Sequence, residues 1–217
     1  MKKILLFASI AVLFASCSSK PKSELEVNIV NNYSLINKKL IVDQRIDGSV
    51  VYTDTIKIKK ENFLVSIPYL GPGLIDISIP ESNVDNIIMA SEEGKIQLNI
   101  EGVKPHFSGT PLNDRLQAFN QASDSVSLLF QQIDKEFEAQ SQAGLLTPQK
   151  GEELTKKRRQ LLKENTDRII AFIKENVDNP VGEYYFMLNY IMYPPERKME
   201  LNAFATEKLK AAFGIQQ

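Results

Sequence analysis

The chain has 217 residues, 43% hydrophobic and 24% charged, the balance of an ordinary globular protein and not of a disordered one. Its formal net charge is −1, and setting aside Lys2 and Lys3 leaves 24 basic against 27 acidic residues, without the positive field that nucleic-acid binding requires. A single cysteine and a single histidine exclude a disulfide framework and leave little for metal or nucleophilic chemistry.

Residues 1–16 read as a lipoprotein signal peptide. Lys2 and Lys3 form a positive n-region, and Ile4 to Phe14 an apolar run far shorter than the roughly 20 residues that span a bilayer. Ala15 and Ser16 place small residues ahead of Cys17, which resembles the bacterial lipobox, although Phe14 stands where the common pattern has leucine. The resemblance implies cleavage before Cys17 and acylation of that cysteine, so the membrane is an expected partner through this lipid anchor. More than one acyl chain gives stable anchoring. Residues 17–23 are then the lipidated cysteine and a polar tether. Its charges, Lys20 and Lys22, replace the acidic run of some surface-exported lipoproteins. The expected location is the outer membrane, facing the periplasm. With Cys17 acylated, no free thiol remains in the chain.

Residues 24–110 read as a β-rich domain. Leu25, Val27 and Ile29 alternate with Glu26 and Asn28, the period-two signature of a half-buried strand. Leu40-Ile41-Val42 follows, then the turn signal Asp47-Gly48, a long alternating run over residues 50–59, and Phe63, Val65 and Ile67. Gly71-Pro72-Gly73 breaks the pattern before Leu74 to Ile79; it lacks the GK[ST] ending and the following helix of a phosphate loop. Asn86 to Ala90 and Ile96 to Ile100 flank the charged turn Glu92-Glu93-Gly94. About seven short antiparallel strands predict a sandwich.

At Phe107-Ser108-Gly109-Thr110-Pro111-Leu112-Asn113 the hydrophobic period changes, and residues 111–217 read as a helical domain. Leu112, Leu116, Phe119, Ser123, Val126, Phe130, Ile133 and Phe137 step by four and three, the pattern of a helix ~39 Å long. Thr110 or Asn113 is the expected cap, with Pro111 in the first turn. A second helix opens at Thr147-Pro148, and Leu154, Leu161, Leu162, Ile169, Phe172, Ile173 and Val177 form its facing stripe, so the two should pair as a hairpin. Asn179-Pro180 opens a third helix ended by Pro194-Pro195, and residues 196–213 read as a fourth. The predicted fold class is α+β: an N-terminal antiparallel β-sandwich-like domain, then a helical hairpin and two further helices.

Few residues invite a chemical role. His106 lacks cysteine or carboxylate partners at ligand spacing. Lys156-Lys157-Arg158-Arg159 sits mid-helix beside Glu152, Glu153 and Glu164, as a solvated face would. The rings of Tyr184, Tyr185, Phe186, Tyr190 and Tyr193 cover more than one side of a single helix. Packing against the hairpin explains part of that, and Tyr184, Tyr185, Tyr190 and Tyr193 are the candidate interaction surface. Asp54-Thr55-Ile56 resembles the three-residue O-glycosylation motif of Bacteroidota envelope proteins, which makes Thr55 the candidate acceptor; Asp124-Ser125-Val126 is the weaker match.

The lipobox, the β-rich stretch, Phe107 to Asn113, and Ala171-Phe172-Ile173-Lys174-Glu175-Asn176 leading into Asn179-Pro180 occur in one order. That order resembles the N-terminal region of Bacteroidota envelope lipoproteins, in which a β-rich domain of unknown function and helices precede a thioredoxin-like disulfide-reductase module. The resemblance implies redox work by a C-x-x-C pair. Here the sequence keeps no cysteine beyond Cys17 and ends at Gln217, where that module would begin. No catalytic, cofactor or metal residues are therefore carried over. The expectation is a non-enzymatic, lipid-anchored envelope protein with a binding or scaffolding role toward an envelope protein partner. Two alternatives stand beside it: an accessory subunit positioning a separately encoded thioredoxin-like oxidoreductase, and a small-ligand or glycan binder.

Overall fold

A computed structural model describes residues 22–215. The expected signal peptide, Cys17 and the expected tether up to residue 21 lie outside the described residues. Alternating apolar side chains build eight strands among the described residues: β1 (Lys22–Val30), β2 (Lys39–Ile46), β3 (Ser49–Lys57), β4 (Asn62–Pro68), β5 (Gly73–Ser78), β6 (Ile87–Ser91), β7 (Gly94–Glu101) and β8 (His106–Ser108). They form two four-stranded sheets, β4-β1-β7-β8 and β3-β2-β5-β6. The inward residues Leu25, Val27, Ile96 and Leu98 of one sheet meet Leu40, Val42, Ile75 and Ile77 of the other, all at 0% exposure. The α+β class and the β-sandwich-like start of the chain are as the sequence predicts.

Two details differ from the sequence reading. β8 is an eighth strand, too short for period two to reveal. The β1–β7 ladder, Ser23↔Gly94 through Val30↔Glu101, is parallel, while the other ladders are antiparallel. A parallel neighbour needs a long crossover, and the second sheet supplies it.

The helices are α1 (Pro111–Gln142), α2 (Pro148–Asn176), α3 (Pro180–Met192), α4 (Pro195–Asn202) and α5 (Glu207–Phe213). The helical hairpin is α1 with α2. Only the first part of the α1 stripe is buried, at Leu112, Leu116 and Phe119; Phe137 is exposed and Phe130 half-buried. On α2, Leu154, Ile170, Phe172 and Ile173 are buried but Leu162 is exposed. The predicted fourth helix is two, α4 and α5. Between them Thr206 caps α5, its Oγ1 accepting from the Leu209 N–H at 3.3 Å.

The sandwich core continues into the helices through Leu112, Leu116, Phe119, Phe172 and Val181. A second cluster joins Ile173, Val177, Phe186, Leu201 and Leu209 beneath the C-terminal helices. The link from sheet to helix is a polar joint. Thr110 holds the N-cap position, yet its side chain makes no capping bond. The carboxylate of Glu92 reaches over from the β6–β7 turn and accepts from Thr110 Oγ1 at 2.5 Å, Leu112 N at 3.1 Å and Asn113 N at 3.2 Å. An anion at a helix N-terminus is favoured twice, by the free N–H groups and by the helix dipole. Asn113, fully buried, donates Nδ2 to the Ala90 carbonyl at 3.1 Å and accepts the Ala90 N–H on Oδ1 at 2.8 Å. Gly109 completes the joint at φ +113°, where an added Cβ would lie 2.4 Å from the Lys95 carbonyl oxygen.

Candidate functional site

α3 positions the site. Its first turn is fixed by Asn179, whose Oδ1 accepts from Val181 N at 3.1 Å and Gly182 N at 3.2 Å, with Pro180 at the first helical position. The side chain is itself held by Asn176, which is buried and donates to the Phe172 carbonyl at 2.8 Å. The helix is thereby laid on the outer face of β5 and β6.

On one flank, between that face and α3 with α5, lies a cleft of about 750 Å³. Its walls mix apolar and charged groups. Ile46, Leu74, Ile88, Met187 and Leu209 supply the apolar area; Arg45, Lys208, Asp47, Asp76, Asp178 and Glu183 supply charge. Arg45 pairs with Asp76 at 3.5 Å, and a register shift between Gln44 and Arg45 sits where β2 turns that arginine outward. Lys208 Nζ lies 2.6 Å from Asp47 and 2.6 Å from Glu183, joining the β2–β3 turn to α3. Those hydrogen bonds, the one to Asp47 foremost, raise its pKa. Tyr184 lines the cleft, and burial pushes its phenol up, with Asp76 adding and Arg45 opposing.

On the other flank a groove of about 450 Å³ runs between α3, α1 and the β6 edge, lined by Ile88, Phe107, Phe119, Asn120, Leu188 and Met192 among others. The ridge between the two is apolar and open: Met187, Leu188, Ile191 and Met192 are all exposed, Ile191 at 71% and Met192 at 82%. Met199 of α4 is exposed too, so of the methionines in the described residues only Met89 lies in the core. Methionine is ordinarily a core residue, and its exposure in a cluster is typical of adaptable binding surfaces.

The four tyrosines singled out from the sequence are half-buried, each in a different setting. Tyr184 faces the cleft. Tyr185 packs edge-on against Phe119 and Phe172, whose rings stack at 3.9 Å, and donates its hydroxyl to Asn120 Oδ1 at 3.0 Å. Tyr190 stacks on Phe186 and tilts against Phe213. Tyr193 carries a buried hydroxyl without a hydrogen-bond partner among the described residues, and burial raises its pKa. The more exposed apolar side chains of the same helix are the ones sequence reasoning passed over. The stepping of Met187, Leu188, Ile191 and Met192 could have marked them as one face.

Burial holds the Tyr185 phenol up to about 12 from the usual 10, with Tyr184 adding and Arg168 opposing. The folded state therefore keeps this proton longer than the unfolded chain. That contribution is complete below pH 10 and is lost as pH rises through 12. Tyr185→Phe should lose about 1 kcal/mol at pH 8 with the Asn120 bond, and should flatten the loss of stability between pH 10 and 12. Urea unfolding at the two ends of that window checks it. Arg168 sits nearby with its guanidinium 4.7 Å from the Phe119 ring centroid, donating to the Phe119 carbonyl, Ser123 Oγ and Asn165 Oδ1. No carboxylate pairs with it among the described residues, and burial lowers its pKa.

The remaining sequence candidates are separate from this site. Thr55 is exposed on β3, an edge strand, its N–H donating to Asp54 Oδ1 at 2.7 Å. Ser125 is exposed on α1. His106 is exposed, with Nδ1 3.1 Å from Gln117 Nε2. In the basic run, Lys157 pairs with Glu153 and Arg158 with Asp134. Cys17 lies outside the described residues. Among the described residues no group of three or more His, Cys, Asp or Glu is placed to hold a metal ion, and no helix is long and apolar enough to cross a membrane. The chain matches no protein-family model, and comparisons with curated proteins and with solved structures return no match.

Proposed function

We propose that this chain is a lipid-anchored, periplasm-facing envelope protein with a non-catalytic binding role, and that it binds at the cleft walled by Tyr184. The observation that carries this reading is the cleft of about 750 Å³, which combines apolar walls with charged groups held in fixed pairs. That is the make-up of a small-molecule site: apolar area for affinity and a few placed polar groups for orientation. A short carbohydrate or an envelope metabolite carrying both an apolar face and polar groups fits it. The anchor rests on the lipobox-like residues before Cys17.

The methionine-rich ridge of α3 favours a second reading, in which the same helix docks a protein. A separately encoded thioredoxin-like oxidoreductase is the partner that the sequence resemblance suggests.

Two measurements test the proposal. Cys17→Ala should shift the protein from the membrane to the soluble fraction, and continued membrane retention would overturn the anchor. A thermal-shift screen of the chain from residue 18 onward, against envelope metabolites and glycans, should find ligands that stabilise it by several degrees. At 100 times Kd a ligand adds about 2.7 kcal/mol, or roughly 5–10 °C for a domain of this size. The shift should vanish in Tyr184→Ala. A screen without hits, or hits indifferent to Tyr184→Ala, would remove the cleft from the proposal.

A further inference from the structure

β6 is an edge strand, and its open side is treated unevenly along its length. At Ala90 both the N–H and the C=O point away from β5, and both are taken by the Asn113 side chain. An asparagine amide carries the same donor and acceptor as a peptide unit, so Asn113 stands where a neighbouring strand would be. Along a strand the N–H and C=O of alternate residues point to the same side. Ile88, two residues before Ala90 and opposite Asp76 in the β5 ladder, therefore turns its own N–H and C=O to the open side. No partner meets them there among the described residues.

At that point the edge opens into the 450 Å³ groove. Leu188 and Met192 form its exposed apolar wall, at 43% and 82%. Asn120 and Asn189, also lining it, each have one amide atom engaged with Tyr185: Asn120 accepts on Oδ1 and Asn189 donates from Nδ2. The Asn120 Nδ2 donor and the Asn189 Oδ1 acceptor are left over among the described residues.

We propose that this groove receives an extended peptide segment of a partner protein, which pairs with Ile88 and seats an apolar side chain against Leu188 and Met192. The free groups decide the occupant. A lipid chain would cover the apolar wall but leave the Ile88 N–H and C=O unpaired. A folded sheet edge, including one from a second copy, would need to pair along β6 past Ile88, where the Asn113 side chain already takes both backbone groups of Ala90. A single extended segment satisfies both, as in strand addition elsewhere. The inference does not rest on the ligand cleft, which lies on the opposite flank of α3.

The test selects from a random twelve-residue peptide library on the chain from residue 18 onward. Counter-selection uses the double variant Leu188→Lys, Met192→Lys, whose exposed positions leave the core untouched. Enriched peptides should carry alternating apolar residues, bind the double variant at least tenfold more weakly, and slow amide hydrogen exchange at Ile88 at least tenfold. N-methylation of one central peptide nitrogen should weaken binding at least tenfold. No enrichment, binding unmoved by N-methylation at every position, or unchanged Ile88 exchange in the complex would each overturn the proposal. Insensitivity to N-methylation with sensitivity to the double variant would point to simple apolar contact, such as a lipid-like ligand.

Discussion

Asn113→Ala should cost about 3–5 kcal/mol, one of the largest losses from any single truncation in the chain. The substitution deletes no large apolar area. Its damage comes from Ala90, whose buried N–H and C=O both lose their partner, each at about 1–3 kcal/mol, while Thr110 Oγ1 loses the Asn113 Nδ2 donor at 2.8 Å. Against a total stability of about 5–15 kcal/mol, that moves the urea midpoint down by more than 1 M. Asn113→Asp should do no better. It keeps an acceptor for the Ala90 N–H but sets a carboxylate oxygen against the Ala90 carbonyl, beside the carboxylate of Glu92. An unchanged midpoint in either variant would mean that the joint between sandwich and helices carries no load.

Gly182→Ala should be comparably severe, for a steric reason. A methyl group there would lie 1.9 Å from the Asn176 carbonyl oxygen and 2.1 Å from its carbon. Both are backbone atoms at the end of α2, so no side chain can rotate away and the two helices must part. The expected cost is about 3 kcal/mol or more. Gly144→Ala is the control: its φ is +70° but nothing lies within 4 Å, so only the left-handed backbone penalty of about 1–2 kcal/mol applies. Because α3 forms a wall of both the cleft and the groove, Gly182→Ala should weaken ligand binding even where the chain remains folded. Denaturation curves for the pair, read beside the thermal-shift hits on each variant, separate the two effects.

Much of this architecture was legible in the sequence. Period two marks seven of the strands because each turns one face toward the opposite sheet, fully buried at Ile75 and Ile77 of β5 and half-buried at Tyr52 and Ile56 of β3. Asn179-Pro180 announced α3 correctly, since cap and fixed φ are local signals. What failed depended on distance. Glu92 read as a charged turn, and nothing nearby in sequence says that its carboxylate caps a helix about 20 residues on. The stripe of α1 is an apolar face, yet periodicity does not say what that face meets; past Phe119 none of its residues is buried. The stepping of Leu201, Phe204, Leu209 and Phe213 ran straight through the break at Thr206, because all four pack into or against one cluster whether or not the helix is continuous. The site followed the same rule. Aromatic residues draw the eye to α3, the helix that lines both the cleft and the groove, but the choice between its tyrosine and methionine sides needs the neighbours in space.

The parallel β1–β7 pairing also has a mechanical side. The described chain starts on β1, which lies inside its sheet, hydrogen-bonded to β4 over seven residue pairs and to β7 over eight. Force applied through the N-terminal segment therefore cannot peel an edge strand one bond at a time. It loads both ladders lengthwise, so many bonds must break together, and forced unfolding is governed by the barrier to that event rather than by equilibrium stability. A pull from this end therefore enters the molecule through a strand paired on both sides. In chain order the load meets both sheets before it meets the helices that line the cleft and the groove.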